Sequence, residues 1–173
     1  VETTVASTHD SKVTQLIQDD LAERDLSPET HLVDEGYMET DLLVDSQNRG
    51  IDLVGPVPSS KSWQTRKEGA FDHTQFAIDW EKKTATCPGG KTNTGWSDRK
   101  SWRGTPNIMI YFHLDDCAPC QLRERCTQAK NMGRTLTIYP QERYEALQKA
   151  RERQETEEFK TLYGERAGIE GTL

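Results

Sequence analysis

Four cysteines in the middle of this 173-residue chain have a spacing that could hold a metal ion. Cys117, Cys120 and Cys126 lie close together, and Cys87 lies further upstream. A Cys-x2-Cys turn can place two thiolates on one tetrahedral cation. Cys126 could reach the same point after one helical turn, and Cys87 could reach it from a neighbouring strand. The spacing therefore predicts a structural Zn²⁺ that holds this segment together and takes no part in catalysis.

Other interpretations of the cysteines stay open at this point. The thiols could be reduced and packed as small apolar groups, and His113 could replace one of them as a ligand. A metal is expected before disulfides, because the opening VETTVASTHDSK has neither the basic nor the apolar region of an export signal.

Two further places have residue types and positions that suit catalysis. Asp34 directly follows the apolar run His31-Leu32-Val33, and a carboxylate at the C-terminal end of a strand lies where ligand crevices form in α/β sheets. Tyr163, Arg166 and Glu170 are three and four residues apart, so they share one helical face. The plainer alternatives are an aspartate that merely ends its strand and an exposed ion pair of little energetic worth.

Two short basic clusters each contain a tryptophan, and this mixture suits contact with phosphates together with stacking on bases. The alternative is a solvated surface with two ordinary tryptophans. On a DNA-binding face both clusters should point the same way. The first cluster contains Lys61, Trp63, Arg66 and Lys67, and the second contains Arg99, Lys100, Trp102 and Arg103.

Charge is unevenly distributed along the chain, which carries a net charge of −7. Residues 1–55 contain 3 basic and 13 acidic residues, whereas residues 56–135 contain 13 basic and 8 acidic residues. The overall acidity argues against a protein that binds polyanions through its net charge. The middle segment is an exception, because its basic residues outnumber its acidic ones. The sequence has no apolar stretch approaching the roughly 18 residues that a membrane span needs, so a cytoplasmic protein without a membrane partner is expected.

The first part of the chain alternates predicted helices and strands, an order that indicates α/β layering with parallel strands. Helices are predicted over residues 11–24 and 39–47, and strands over residues 31–33 and 51–54. The first helix is expected to begin at Asp10 and to have an apolar face made of Val13, Leu16, Ile17 and Leu21.

After Pro56 the pattern changes, because Pro, Ser, Gly and Thr become frequent. Short strands are predicted at residues 76–80, 82–86 and 108–112, followed by a last strand at 136–139. A long helix is predicted over residues 140–154, and Thr156 is expected to begin the final helix. We therefore divide the chain into residues 1–56, a β-rich cysteine-containing insertion over 57–135, and residues 136–173.

Taken together, the motifs resemble the C-terminal part of the DDE transposases of bacterial insertion sequences. The segments HLVDEGY at 31–37 and YGERAGIEGT at 163–172 look like the second-Asp and Glu motifs of that family. Tyr-x2-Arg-x3-Glu is the first part of its Tyr-Arg-Glu-Lys signature. The Cys-rich segment that ends at Cys126-Thr127 and the segment YPQE at 139–142 are similar to one branch of the family.

The resemblance implies an α/β fold with a partial ribonuclease-H-like core, interrupted by the β-rich insertion before the last catalytic helix. It assigns Asp34 and Glu170 as catalytic carboxylates that bind Mg²⁺, and it assigns Tyr163 and Arg166 to DNA phosphate contact or to support of the carboxylates. The first Asp of the family would lie upstream of Val1, and the signature Lys beyond Leu173. The chain is therefore expected to be an inactive piece of a longer protein.

The activity implied by the resemblance is phosphodiester cleavage followed by strand transfer, with three carboxylates holding two Mg²⁺ ions. Its implied partners are double-stranded DNA, at transposon terminal repeats and at the target, and a second copy in a homodimer. The implied location is the cytoplasm, at the nucleoid when DNA is bound. The alternatives are a non-enzymatic zinc-stapled module that binds DNA or protein, and a nuclease of the same fold that hydrolyses without joining.

Overall fold

The computed structural model describes residues 13–170, and it describes side chains as far as Arg166. Within that range the fold is mixed α/β. The strands are β1 (Thr30–Leu32), β2 (Asp52–Val54), β3 (Ala77–Asp79), β4 (Thr84–Thr86), β5 (Gly95–Lys100), β6 (Pro106–Tyr111) and β7 (Thr135–Ile138). The helices are α1 (Thr14–Glu23), α2 (Thr40–Asn48), α3 (Trp63–Arg66), α4 (Leu114–Cys117), α5 (Arg123–Cys126), α6 (Gln141–Gln154) and α7 (Glu157–Glu170).

The chain divides into two compact units. The first combines Val1–Pro58 with Glu142–Leu173, and the second is Ser59–Gln141. No helix in the part of the chain described is long and apolar enough to cross a membrane.

In the first unit, β1 and β2 form a two-stranded parallel sheet with His31 opposite Leu53. The predicted alternation of helices with parallel strands is therefore confirmed for this part of the chain. The buried apolar side chains come from the segments after β1, from α2, from β2 and from the two C-terminal helices. They are Val33, Met38, Leu42, Leu43, Val44, Ile51, Leu53, Val54, Val57, Leu147 and Phe159.

Helix α1 buries a different face from the one that its apolar residues predict. Leu16 and Ile17 are 58% and 39% exposed, whereas Thr14 and Gln18 are buried. Gln18 Nε2 donates to Ser46 Oγ at 2.9 Å, and the same hydroxyl donates back to Gln18 Oε1 at 3.2 Å. Because each buried polar group satisfies the other, this pair fixes α1 against α2 at little cost. The predicted cap Asp10 lies outside the described residues.

In the second unit, β3 and β4 form a hairpin, and β5, β6 and β7 form an antiparallel sheet in that order. Strand β5 is absent from the sequence predictions. Strand β7 is predicted with the C-terminal segment, but it pairs with β6, placing Ile138 opposite Ile108. The core of this unit is small and is contributed mostly by β6, β7 and the β3–β4 hairpin. Its buried apolar side chains are Phe76, Ala85, Ile108, Ile110, Phe112, Leu136 and Ile138.

The two C-terminal helices agree closely with the predictions from sequence. Helix α6 spans Gln141–Gln154, and α7 begins at Glu157. Thr156 Oγ1 accepts from the backbone N–H of Phe159 at 3.2 Å, as an N-cap residue does.

Gly55 occupies a position where even one added carbon has no room. A Cβ there would collide with the backbone oxygen of Val33 and lie 3.0 Å from Met38 Cγ. We expect Gly55→Ala to lower the free energy of unfolding by about 1–3 kcal/mol, because the end of β1 must shift. Urea denaturation measures this change.

Gly164 offers a matched control for the same substitution in the same unit. It is exposed in the interior of α7, and no atom outside its own helix lies within 4 Å of an added Cβ. Gly164→Ala should raise the free energy of unfolding by about 0.5–1 kcal/mol through helix propensity. Equal effects at the two positions would contradict the predicted clash at Gly55.

Candidate functional site

Asp34 lies immediately beyond the end of the parallel sheet. Val33 N donates to Val54 O at 2.8 Å, which continues the ladder by one residue. The chain then turns, and Tyr37 N donates to Asp34 O at 2.9 Å. The Asp34 side chain is 55% exposed. The sheet therefore presents this carboxylate to solvent at its C-terminal edge, as the sequence predicts.

Arg166 of α7 binds Asp34 with both arms of its guanidinium group. Nη2 donates to Asp34 Oδ2 at 2.8 Å, and Nη1 donates to Asp34 Oδ1. Such bidentate pairs combine charge with a defined orientation. The Arg166 side chain is only 24% exposed, so the pair is partly shielded from water.

Tyr163 supports Arg166 from the previous turn of α7. Arg166 Nη1 also donates to Tyr163 Oη at 3.2 Å. The Tyr163 ring stacks on Phe159, with ring centroids 5.5 Å apart and an interplanar angle of 7°. Phe159 is buried, so the stack connects the phenol to the core of the first unit. The sequence places Phe159 on the predicted final helix but does not single it out as a support for Tyr163, although its position four residues before Tyr163 is the signal that could have found this role.

Glu170 is the last residue of α7, and its side chain lies outside the described residues. The structure therefore brings together Asp34, one of the two predicted catalytic carboxylates, with Tyr163 and Arg166, which are predicted to contact DNA phosphate or to support the carboxylates. Helical geometry puts residue 170 one turn beyond Arg166 on the same face. Among the side chains that the structure describes, residues 13–166, no group of three or more His, Cys, Asp or Glu is arranged to hold a metal ion.

The Asp34 carboxylate fits the chemistry of a divalent-metal ligand. It is a hard oxygen donor, and its exposure leaves it open to an ion from solvent. On β1, burial lowers the pKa of His31 from its ordinary value of 6.5, which favours the neutral ring.

The second basic cluster surrounds the turn between β5 and β6. Trp102 is 87% exposed there, and the Arg103 guanidinium lies 4.6 Å from the centroid of its ring. Arg99 and Lys100 end β5, and neighbouring strand residues point to opposite faces. The cluster therefore surrounds the hairpin tip and does not lie on a single face.

The first basic cluster lies on and beside α3, which Ser62 caps by accepting from Thr65 N. Arg66 Nη2 donates to the backbone oxygen of Lys61 at 3.0 Å, and Lys67 Nζ lies 5.8 Å from the centroid of the Trp63 ring. Lys61, Arg66 and Lys67 are all exposed. Both clusters thus present cations and an aromatic ring within the second unit.

All four cysteines line one cavity of about 30 Å³ in the second unit, and all are free thiols. Burial raises the pKa of the Cys126 thiol, and the nearby Arg134 guanidinium opposes that effect. His113 is exposed and accepts from Asp115 N through Nδ1 at 3.3 Å. The lining of the cavity also includes Lys91, Arg123 and Arg134, which are absent from the sequence predictions.

The bidentate geometry of the Asp34–Arg166 pair should be measurable as a coupling energy. We expect a double-mutant cycle with Asp34→Asn and Arg166→Gln to give about 0.5–1 kcal/mol, the upper range for partly exposed pairs. The measurement is the free energy of unfolding of the four proteins in urea.

The Asp41–Arg143 pair provides a control with the same exposures, 55% and 24%, and one contact at 2.9 Å. A second cycle on this pair should give a smaller coupling energy, because a single hydrogen bond lacks the fork geometry. A coupling energy near zero for Asp34–Arg166 would contradict its positioning role.

Comparison with known proteins finds a family whose sequence model matches this chain. The sequence model of a family described as a transposase DDE domain matches residues 86–173, which is half of the chain. The matched range contains all four cysteines and the face of α7 that carries Tyr163 and Arg166, whereas Asp34 precedes it. Neither the curated proteins nor the solved structures contain a match.

Proposed function

Because the chain belongs to the family of transposase DDE domains, we propose that it contributes to metal-dependent phosphodiester cleavage and strand transfer at transposon ends. The bidentate contact between Arg166 and Asp34 is the observation that carries this proposal. It joins two motifs that lie 132 residues apart in the sequence. We further propose that the first unit is part of a ribonuclease-H-like core.

The meeting of these two motifs supports a shared site more than a chance ion pair. Asp34 lies at the edge of a parallel sheet where ligand crevices form. Arg166 reaches it from the helix whose next turn on the same face carries Glu170. In the proposed site the carboxylates of Asp34 and Glu170 lie close enough to share a divalent cation.

In the proposed mechanism Asp34 and Glu170 would hold Mg²⁺ through their carboxylate oxygens, together with a third carboxylate. The ion would supply activation of the attacking water or 3′-hydroxyl and stabilisation of the leaving oxygen. Arg166 orients the Asp34 carboxylate, and its planar fork also matches a DNA phosphate. Tyr163 keeps the guanidinium in the plane that its contacts with Asp34 and with a DNA phosphate require.

The basic hairpin tip is the proposed contact with double-stranded DNA. Trp102 offers an exposed ring for stacking, and Arg99, Lys100 and Arg103 offer charges to the phosphates. The cluster at Lys61, Arg66 and Lys67 is proposed as a second backbone contact. A dimeric whole protein and a cytoplasmic, nucleoid-associated location belong to the same proposal.

The catalytic part of the proposal predicts a sharp loss of strand transfer. In the protein that contains this chain, Asp34→Ala or Glu170→Ala should lower the rate on the order of a thousandfold or more, because each removes a metal ligand. Binding to terminal-repeat DNA should be unchanged. Strand-transfer and gel-shift assays measure the two quantities on the same preparations.

Asp41→Asn is the control, because it removes a carboxylate charge from the same unit without touching the site. A variant at position 34 or 170 that retains strand transfer would exclude that residue from catalysis. Bound zinc without Mg²⁺-dependent nicking would instead favour a non-enzymatic module, and nicking without joining would favour a nuclease.

The DNA contact at the hairpin predicts two separable effects on affinity. Trp102→Ala should weaken binding to a duplex with unpaired terminal bases by about 1–3 kcal/mol, because stacking on those bases is lost. Arg103→Ala should reduce the slope of log affinity against log salt by about one unit, as one phosphate contact is lost. Fluorescence anisotropy with labelled duplex DNA at several salt concentrations measures both.

Lys82→Ala is the matched control for charge, since Lys82 is exposed in the same unit and pairs with Asp79 at 3.0 Å. Its salt slope should equal that of the unchanged chain. Unaltered affinity in Trp102→Ala would place the DNA contact elsewhere.

A further inference from the structure

Four cysteines from two separate segments of the second unit surround one small cavity. Its volume of about 30 Å³ suits a single ion or one or two water molecules. The sulfur-bearing residues are Cys87, which follows β4, Cys117 at the end of α4, Cys120 between the helices, and Cys126 at the end of α5. The fold thus gathers every thiol of the chain at one point.

The turn after β4 is shaped around the sulfur of Cys87. Cys87 N donates to Lys91 O and Gly90 N donates to Cys87 O, both at 2.8 Å. Lys91 N lies 3.4 Å from Cys87 Sγ and donates to it. Gly90 has φ of +76°, a left-handed conformation that glycine adopts without strain. The turn therefore fixes the position of the Cys87 sulfur through a backbone N–H.

A similar arrangement surrounds the cysteines of α4 and α5. Arg134 N donates to Cys117 Sγ at 3.4 Å. Cys120 N donates to Cys117 O at 3.3 Å, and Arg123 N donates to Cys120 O at 3.1 Å. These turns direct Cys117 and Cys120 to the same cavity as Cys126. The main chain therefore positions the thiols through hydrogen bonds.

The segment that holds three of the four thiols has very little core of its own. No side chain in residues 113–135 is buried, and α4 and α5 have four residues each. Helices of this length are unstable in isolation. Polar contacts supply some support, such as the Lys91–Asp116 ion pair at 3.2 Å. Segments with so little apolar burial are commonly held by a metal or by disulfides.

We propose that Cys87, Cys117, Cys120 and Cys126 form a tetrathiolate site for one structural Zn²⁺, separate from the proposed catalytic site. Soft thiolate ligands select zinc over the hard Mg²⁺. The ion would fasten α4 and α5 to the end of the β3–β4 hairpin. Lys91, Arg123 and Arg134 line the same cavity together with the Asp116 carboxylate, which pairs with Lys91. The excess of cations would offset part of the net negative charge of four thiolates on one divalent ion.

Binding must draw the sulfurs closer together, since none of the described side-chain groups already has a metal-holding arrangement. Gly89 leaves room for this movement. A Cβ at Gly89 would lie 3.5 Å from Cys120 Sγ and 3.6 Å from Cys87 Sγ, so the two sulfurs flank a residue without a side chain. The thiolates would therefore move together as the metal binds.

Metal analysis of the purified chain tests the proposal directly. Elemental analysis after dialysis should find about one zinc ion per chain. Cys117→Ser and Cys120→Ser should each lose most of it, whereas His113→Ala should retain it. Circular dichroism on the same samples identifies variants that fail to fold.

Cobalt substitution of the unmutated chain gives an answer that does not depend on those variants. Co²⁺ should bind at about one ion per chain and show the intense thiolate-to-cobalt absorption and visible bands of a tetrahedral site. Zn²⁺ should then abolish both signals. Zinc well below one ion per chain with no cobalt spectrum would overturn the proposal. So would disulfides found by alkylation and mass measurement, or full zinc content in both cysteine variants.

Discussion

The contact of Arg166 with Asp34 is the interaction on which the proposed chemistry depends, because it fixes the final helix against the edge of the parallel sheet. A bidentate contact determines both the distance and the plane of the guanidinium group. Tyr163 and the buried ring of Phe159 connect this plane to the hydrophobic core. The carboxylate is therefore positioned by a continuous series of contacts that begins in the core and ends at the solvent.

The two units supply opposite charges to a proposed nucleic-acid enzyme. The N-terminal 55 residues are strongly acidic, which suits cation binding but repels a DNA backbone. The second unit contains the basic segment and displays its cations beside an exposed Trp102. In the proposed function, catalysis and attraction to DNA thus belong to separate parts of the chain, and the charge of each part suits its task.

Local patterns predicted the elements of the first unit well, because short apolar runs bounded by glycine and proline specify buried parallel strands. They failed for β5, whose sequence Gly95–Lys100 is polar and half exposed and so lacks apolar alternation. They also failed for the buried face of α1. Gln18 is buried there because Ser46, on another helix, satisfies its amide, and no local pattern contains that information.

The position of β7 and the details of the site show the same limit of prediction from local sequence. The sequence of Thr135–Ile138 predicts a strand, but no local pattern indicates that this strand pairs with β6, which is distant in the sequence. Motifs indicated that Asp34 and Arg166 belong to one site. The two-armed contact and the hydrogen bond to Tyr163 became visible only in the folded chain. The gathering of four thiols likewise needed the turn at Cys87 to be placed near α4 and α5.

The route of the chain through the first unit has a consequence for its evolution. Val57 N donates to Gln154 Oε1, and Arg151 Nη2 donates to Pro58 O at 3.5 Å, so the chain leaves this unit beside α6, the helix with which it returns. The chain therefore leaves beside the last turns of α6 and returns at its first turn, roughly 14 Å away along the helix axis. The entropy cost of joining these two points rises only slowly with the length of the segment between them. Segments of different lengths can therefore be accommodated there while the sheet edge and the last helix keep their geometry.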